Sequence, residues 1–207
     1  MNSVAIIDCG IGNIGSVVRM VEKVNGSALR VSATEEVRNA GKIILPGVGR
    51  FDHGMRLLIE HDLVEAIRFV ANVKKAPVLG ICLGMQLLFD GSEEGELPGL
   101  GLIPGQVVRF RNRKPVLPVP HMGWSEVDVR KNNDLIPQGL ADQERRRFYF
   151  VHSYHAVCRD SDDILATVDY GGDVTAAVSR GQVYGTQFHP EKSHSFGMSL
   201  IKRFVDL

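Results

Sequence analysis

Residues 79–89 read LGICLGMQLLF, and Cys82 stands in the middle with Gly80 and Gly84 two places to either side. Pro77 to Ile81 is an apolar run suited to a buried strand, and the spacing from Leu83 to Phe89 suits a helix. A nucleophile-type residue at a strand-to-helix corner has the shape of a nucleophile elbow. The sharp turn crowds the backbone two residues before and two after, which glycine relieves by lacking a Cβ. It also lifts the thiol above the sheet edge. The amide of Leu83 then points to where an oxyanion would form, and the helix N-terminus favours thiolate over thiol. The alternative is an inert buried cysteine, the common lot of this residue. A base elsewhere in the chain decides between them.

Outward from the elbow, short apolar runs alternate with helix-like segments. Strand candidates are Val4 to Asp8, Ala28 to Val31, Lys42 to Leu45 and Pro77 to Ile81. Helix candidates lie at about Asn13 to Asn25, about Met55 to Lys74 and Leu83 to Phe89. Such alternation predicts right-handed βαβ units. After Gly91, glycines and prolines punctuate shorter β-rich pieces: Gln106 to Phe110, Ser125 to Val129, Phe148 to Val151, Asp163 to Val168, Val174 to Val178 and Val183 to Phe188. The closing SHSFGMSLIKRFVDL places Phe196, Leu200 and Phe204 four apart, as an amphipathic helix does. The expected fold is α/β: an open, mostly parallel sheet flanked by helices, with a β-rich antiparallel extension in the second half. No polar linker divides residues 1–207, so one domain is expected.

The bulk numbers narrow the function. Lysine plus arginine number 24 and acids 24, so no basic excess points to nucleic acid or an anionic membrane surface. The basic runs Arg109 to Lys114 and Arg145 to Arg147 are short and read as solvated faces. No apolar stretch reaches the roughly 18 residues of a membrane span, and the N-terminus carries no charged leader. Cys9, Cys82 and Cys158 form an odd set without CxxC spacing, which suits a reducing cytoplasm.

The base comes from YGTQFHPEKSH, residues 184–194. His189 and Glu191 follow a strand candidate two apart, and period-2 geometry turns them to one side. One imidazole nitrogen can face Cys82 while the other donates to the Glu191 carboxylate, giving a Cys-His-Glu triad. Pro190 stiffens the pair. A second oxyanion donor is expected from Leu45-Pro46-Gly47-Val48-Gly49, through the amides of Val48 or Gly49; the sequence does not say which.

Together the stretches IIDCGIGN, ILPGVG, GICLGMQLL, PHMGW, FYFVHSYH and GTQFHPEKS resemble the class I glutamine amidotransferases, along nearly the whole chain. Within that class the details are similar to the glutaminase subunits of imidazole glycerol phosphate synthase; those of GMP synthetase and anthranilate synthase differ around the cysteine and lack PHMGW. The chain departs from the usual pattern at Cys9, where an aromatic is common, and at Ser125, where asparagine is common. The resemblance implies hydrolysis of L-glutamine through a cysteinyl thioester without a cofactor. It implies that Gln86, one helical turn past Cys82, helps hold substrate, and that backbone groups at Ser153 and Tyr154 cradle its amino-acid end. It also implies a heterodimer with a (βα)8-barrel cyclase subunit that consumes the ammonia in histidine biosynthesis. The partner face would include Trp124, beside Asn13 and Lys192 at the mouth of the site.

Rival readings exist. Gly10-Ile11-Gly12-Asn13-Ile14-Gly15 is a literal G-x-G-x-x-G, with Glu35 and Glu36 about 20 residues on, as in a dinucleotide site. Those acids follow Ser32-Ala33-Thr34, however, and read as the start of a helix. His152, His155 and Cys158 are spaced three apart but lack the CxxC or HExxH partners of zinc sites, so no metal is expected. A glutaminase serving anthranilate or aminodeoxychorismate synthesis is a further alternative. A partner-binding module without catalysis would be expected to lose triad residues, and all three are present.

Overall fold

The structure is a computed structural model that describes residues 3–111, 117–137 and 146–207. Parts of both basic runs, residues 112–114 and 145, lie outside the described residues. The first half supplies strands β1 (Ser3–Ile7), β2 (Ser27–Val31), β3 (Ile43–Gly47) and β4 (Val78–Cys82). Helices α1 (Ile14–Lys23), α2 (Thr34–Asn39), α3 (Phe51–Glu60) and α4 (Leu63–Asn72) connect them, and the one-turn α5 (Leu83–Gln86) follows β4. The second half adds β5 (Gly91–Ser92), β6 (Gly105–Arg109), β7 (His121–Val129), β8 (Arg147–His152), β9 (Tyr154–Cys158), β10 (Ile164–Asp169), β11 (Asp173–Arg180) and β12 (Val183–Thr186). Helix α6 (His194–Asp206) closes the chain.

Nine strands form one sheet in the order β2-β1-β3-β4-β12-β11-β10-β7-β8. The first five run parallel. From β11 onward every pairing is antiparallel, so the extension expected from the second half forms a side of the sheet as broad as the parallel one. A smaller sheet, β5-β6-β9, packs beside it.

The parallel strands read as continuous apolar runs because both of their faces are covered. Ala5, Ile7, Ile43, Leu45 and Val78 face α2, α3 and α4, in a core with Val37, Phe51, Met55, Ile67 and Val70. Their alternates Val4, Ile6, Ile44, Leu79 and Ile81 face α1 and α6, in a core with Val17, Val21, Leu200 and Phe204.

Several boundaries differ from the sequence expectation, and β7 begins at His121, four residues before the expected Ser125. The single helix over Met55 to Lys74 is two helices, broken where Asp62 adopts φ 55°. Leu58, Leu63, Ala66 and Ile67 nevertheless face one core, so the apolar period runs across the break unseen. The helix over Leu83 to Phe89 stops at Gln86, because the carbonyls of Leu87, Leu88 and Phe89 accept from Leu100, Leu102 and Gly101 instead of from a following turn. Strand β12 stops at Thr186, two residues early; there the Thr186 hydroxyl donates to the Phe188 carbonyl and the backbone leaves the ladder.

Candidate active site

Cys82 ends β4 and caps α5 with φ 54° and ψ −108°, a left-handed conformation that a non-glycine residue holds at a cost of about 1–3 kcal/mol. Packing enforces it. A Cβ on Gly84 would lie 1.8 Å from the Leu45 carbonyl oxygen, and one on Gly80 2.5 Å from the Gly84 carbonyl oxygen. The elbow can sit this close to β3 and β4 only with glycine at both places. Helix α5 is a single turn, so the dipole assistance expected at the thiol is correspondingly small.

His189 and Glu191 meet as expected, by a different route. They do not continue a strand: His189 is extended and Pro190–Lys192 forms a 3₁₀ turn. His189 Nδ1 donates to Glu191 Oε1 at 2.7 Å, with both side chains almost fully buried. Ser193, wholly buried and passed over in the sequence reading, fastens the turn. Its hydroxyl donates to the His189 carbonyl at 2.6 Å and accepts from the Tyr149 amide at 3.0 Å. The His189 amide in turn donates to the Tyr149 carbonyl, so β8 supports the base.

Burial pulls the His189 pKa down. The nearby Cys82 sulfur and the hydrogen-bonded Glu191 carboxylate more than reverse this, raising it to about 9. At neutral pH the ring therefore carries its proton between a sulfur and a carboxylate. Its Nε2 is buried without a hydrogen-bond partner among the described residues.

Cys82, Leu83, Gln86 and His189 line one cavity of about 340 Å³, together with Val48 and Gly49 from the loop after β3. Gly49 has φ 112°, which glycine alone adopts without strain. His152, Ser153 and Tyr154 close the opposite wall, where the chain passes from β8 in the large sheet to β9 in the small one.

Gln86 faces the cavity, but its amide nitrogen is engaged, donating to the Tyr154 carbonyl at 3.1 Å and to Gln187 Oε1 at 3.0 Å. Gln187 itself was not singled out in the sequence. It is fully buried, and its Nε2 lies 3.9 Å from Cys82 Sγ as a donor. Glu94 and Lys192 add one charge of each sign to the cavity wall, and Glu94 Oε2 accepts from the Phe51 amide.

Asn13, Trp124 and Lys192 are exposed, and of the three Lys192 lines the cavity. Asn13 caps α1 by accepting from the Ser16 amide. Strand β7 turns His121, Gly123 and Ser125 inward and Met122 and Trp124 outward. The Trp124 ring is 38% exposed and lies parallel to His194, with centroids 5.3 Å apart. The glycine-rich turn before α1 has no free acidic partner in Glu36, whose carboxylate accepts from the Ser32 and Ala33 amides at the start of α2. Among the described residues there is no metal-holding group of three or more His, Cys, Asp or Glu, and no helix long and apolar enough to cross a membrane.

A thiol on a strand-to-helix corner, backed by a buried His–Glu pair at the carboxyl ends of parallel strands, defines the class: the triad-type amidotransferases. Solved structures share the architecture. A glutamine amidotransferase superposes with a TM-score of 0.75 at 18% identity, covering 98% of this chain and 97% of its own. PurLQS from Thermotoga maritima gives 0.74 at 18%, covering 99% and 97%. At that identity the likeness is one of fold alone. In sequence, residues 5–207 match the family described as glutamine amidotransferase class-I. "Imidazole glycerol phosphate synthase subunit HisH 2" of Pseudomonas aeruginosa is 48% identical over 99% of both chains. The protein of the same name from Methanococcus maripaludis is 46% identical over 98% of both. The chain belongs to the class-I glutamine amidotransferases and, within them, to the HisH subunits of imidazole glycerol phosphate synthase.

Proposed function

We propose that this chain hydrolyses L-glutamine to glutamate and ammonia, with Cys82, His189 and Glu191 as its triad. The observation that carries this reading is the buried His189, held at Nδ1 by Glu191 and raised in pKa by Cys82 as well. Cys82 Sγ attacks the side-chain amide carbon of glutamine, and the carbonyl oxygen takes the negative charge. The amide of Leu83 and one from Val48 or Gly49 stabilise that oxyanion. The C–N bond then breaks as imidazolium His189 gives its proton to the departing nitrogen. Neutral His189 next takes a proton from water, whose oxygen attacks the thioester; glutamate leaves, and Cys82 and His189 return to their starting states.

At the other end of the cavity, the backbone of Ser153 and Tyr154 receives the amino-acid end of the substrate. Glu94 offers a carboxylate for its α-ammonium group. Gln86, its NH2 already committed, acts on substrate through its carbonyl oxygen and through the position of Tyr154. No cofactor is required.

The HisH relatives extend the reading to a partner. Ammonia passes to a (βα)8-barrel cyclase subunit, bound as a heterodimer over Asn13, Trp124 and Lys192. It is used there to make imidazole glycerol phosphate and AICAR in histidine biosynthesis. Three free cysteines, one of them the nucleophile, suit a cytoplasmic setting. The test is chemical. In the presence of the cyclase, Cys82→Ala is expected to lower glutamine turnover by about 10³-fold or more without a change in melting temperature. An electrophilic glutamine analogue is expected to label Cys82 and neither Cys9 nor Cys158. Labelling elsewhere, or activity retained by the alanine variant, would remove the triad.

A further inference from the structure

Three side chains that the mechanism does not use form a line into the substrate wall. Ser125 Oγ lies 2.9 Å from His121 Nε2, and His121 Nδ1 lies 3.1 Å from His152 Nε2. His152 Nδ1 lies 2.7 Å from the Tyr154 carbonyl oxygen. His121 and His152 are buried. The His121 ring is stacked between Phe150 and Tyr170, at centroid distances of 4.6 and 4.0 Å.

The chemistry of the terminal group orders the protons along this line. A carbonyl oxygen can only accept, so His152 Nδ1 carries a hydrogen. A neutral His152 then has a bare Nε2, which accepts, so His121 Nδ1 carries a hydrogen too. His121 Nε2 is bare in its turn, and the Ser125 hydroxyl donates to it. Burial favours these neutral rings, lowering the pKa of His121 to about 4 and of His152 to about 3. Every hydrogen bond therefore points the same way, from β7 towards Tyr154.

The Tyr154 carbonyl is where this line meets the catalytic one, because it also accepts from Gln86 Nε2. Gln86 bonds Gln187, and Gln187 donates to Cys82 Sγ. We infer that Ser125, His121 and His152 are positioning residues for glutamine: the Tyr154 carbonyl sets the tautomers of both histidines, the Ser125 hydroxyl anchors the far end of the line, and together they hold the Tyr154 segment at the height that receives the substrate's amino-acid end. The inference rests on the glutaminase reading of the same cavity.

Removing the hydroxyl removes the outer anchor of the line. In Ser125→Ala the Tyr154 carbonyl still keeps the hydrogens on both Nδ1 atoms, but His121 Nε2 is left buried without its donor. The His121 ring is then no longer held on that side, and its bond to His152 weakens. The substrate wall would loosen while the triad stayed intact.

Two measurements on the chain in complex with its cyclase test this. The first is nitrogen NMR of the imidazoles at neutral pH, which reads the tautomers directly without any reaction. Both His121 and His152 are expected as Nδ1–H tautomers, with the His121 Nε2 resonance moved in Ser125→Ala by loss of its hydrogen bond. The second is glutaminase kinetics. Ser125→Ala is expected to raise KM for glutamine about fivefold with kcat within about twofold, at an unchanged melting temperature; Ser125→Thr, which keeps a hydroxyl, is expected to restore KM. An Nε2–H tautomer at either histidine in the unaltered protein would overturn the line. So would an unchanged KM in Ser125→Ala, or a raised KM that threonine does not restore. Loss of turnover in Cys82→Ala bears only on the triad, so the two ideas fail separately.

Discussion

At the level of single residues, the proton on His189 is the quantity that matters most. Its pKa is raised to about 9, so the imidazolium needed by departing ammonia is present at neutral pH and lost as pH rises through that value. Activity is therefore expected to fall on the alkaline side near pH 9. Glutamine's own α-ammonium titrates in the alkaline range too, so the diagnostic reading is a difference between enzymes. Glu191→Gln keeps a hydrogen-bond acceptor but removes a charge that raises the pKa, and its alkaline limb of kcat/KM is expected at lower pH than in the unaltered protein. His189→Ala is expected to cost nearly as much turnover as Cys82→Ala, and Glu191→Gln less, since Glu191 orients and stabilises without touching substrate. A limb that stays in place would separate Glu191 from the base. The elbow and the His189–Glu191 pair were legible in the sequence because both are local patterns. Gln187 and Ser193 were not, since their roles exist only after β8, β12 and α5 converge: one reaches a sulfur 105 positions away, the other a strand 44 positions away.

Among the elements, the elbow shows how far a spacing argument reaches. Gly80 and Gly84 were read from the sequence as relief of crowding, and the structure gives the crowding atoms: the Leu45 carbonyl oxygen 1.8 Å from a Cβ at residue 84. That oxygen is backbone in a central strand and has nowhere to move. Gly84→Ala is accordingly expected to lower the melting temperature by about 3–10 °C, as overpacking of about 1–3 kcal/mol would in a chain of this size. Gly41→Ala serves as the control, since a Cβ there meets nothing within 4 Å, and is expected to shift it little. Equal melting curves for the two would mean that α5 can shift away from β3. Helix ends were less legible than helix faces. The break at Asp62 leaves the apolar period undisturbed, and the stop after Gln86 depends on carbonyls claimed by residues 100–102. Strand β9 went unseen because Ser153 and His155 interrupt the apolar pattern around Tyr154; Ser153 and Tyr154, with His152 at the end of β8, are the cavity wall.

For the molecule as a whole, the outward face of β7 carries the prediction about the partner. Trp124 is 38% exposed on a strand whose inward residues are His121, Gly123 and Ser125, so its ring adds little to the folded core. Trp124→Ala is expected to weaken association with the cyclase tenfold or more, while the melting temperature of the free subunit changes little. Calorimetric titration beside a melting curve checks both; unchanged affinity, or a collapsed melting temperature, would return Trp124 to a structural role. One feature of the sheet gives this arrangement a wider meaning. Strand β12 is paired in parallel with β4 on one side and antiparallel with β11 on the other. It is a seam, and the thiol and the glycine-rich loop belong to one side of it, while β7 and β8 belong to the other. The nucleophile thus stands on the parallel half, while its base is braced by β8 and the substrate wall is built where β8 passes to β9, so the site is assembled across the seam. Substitutions on the outward face of β7 are expected to alter affinity for the proposed cyclase partner while leaving the elbow as it is.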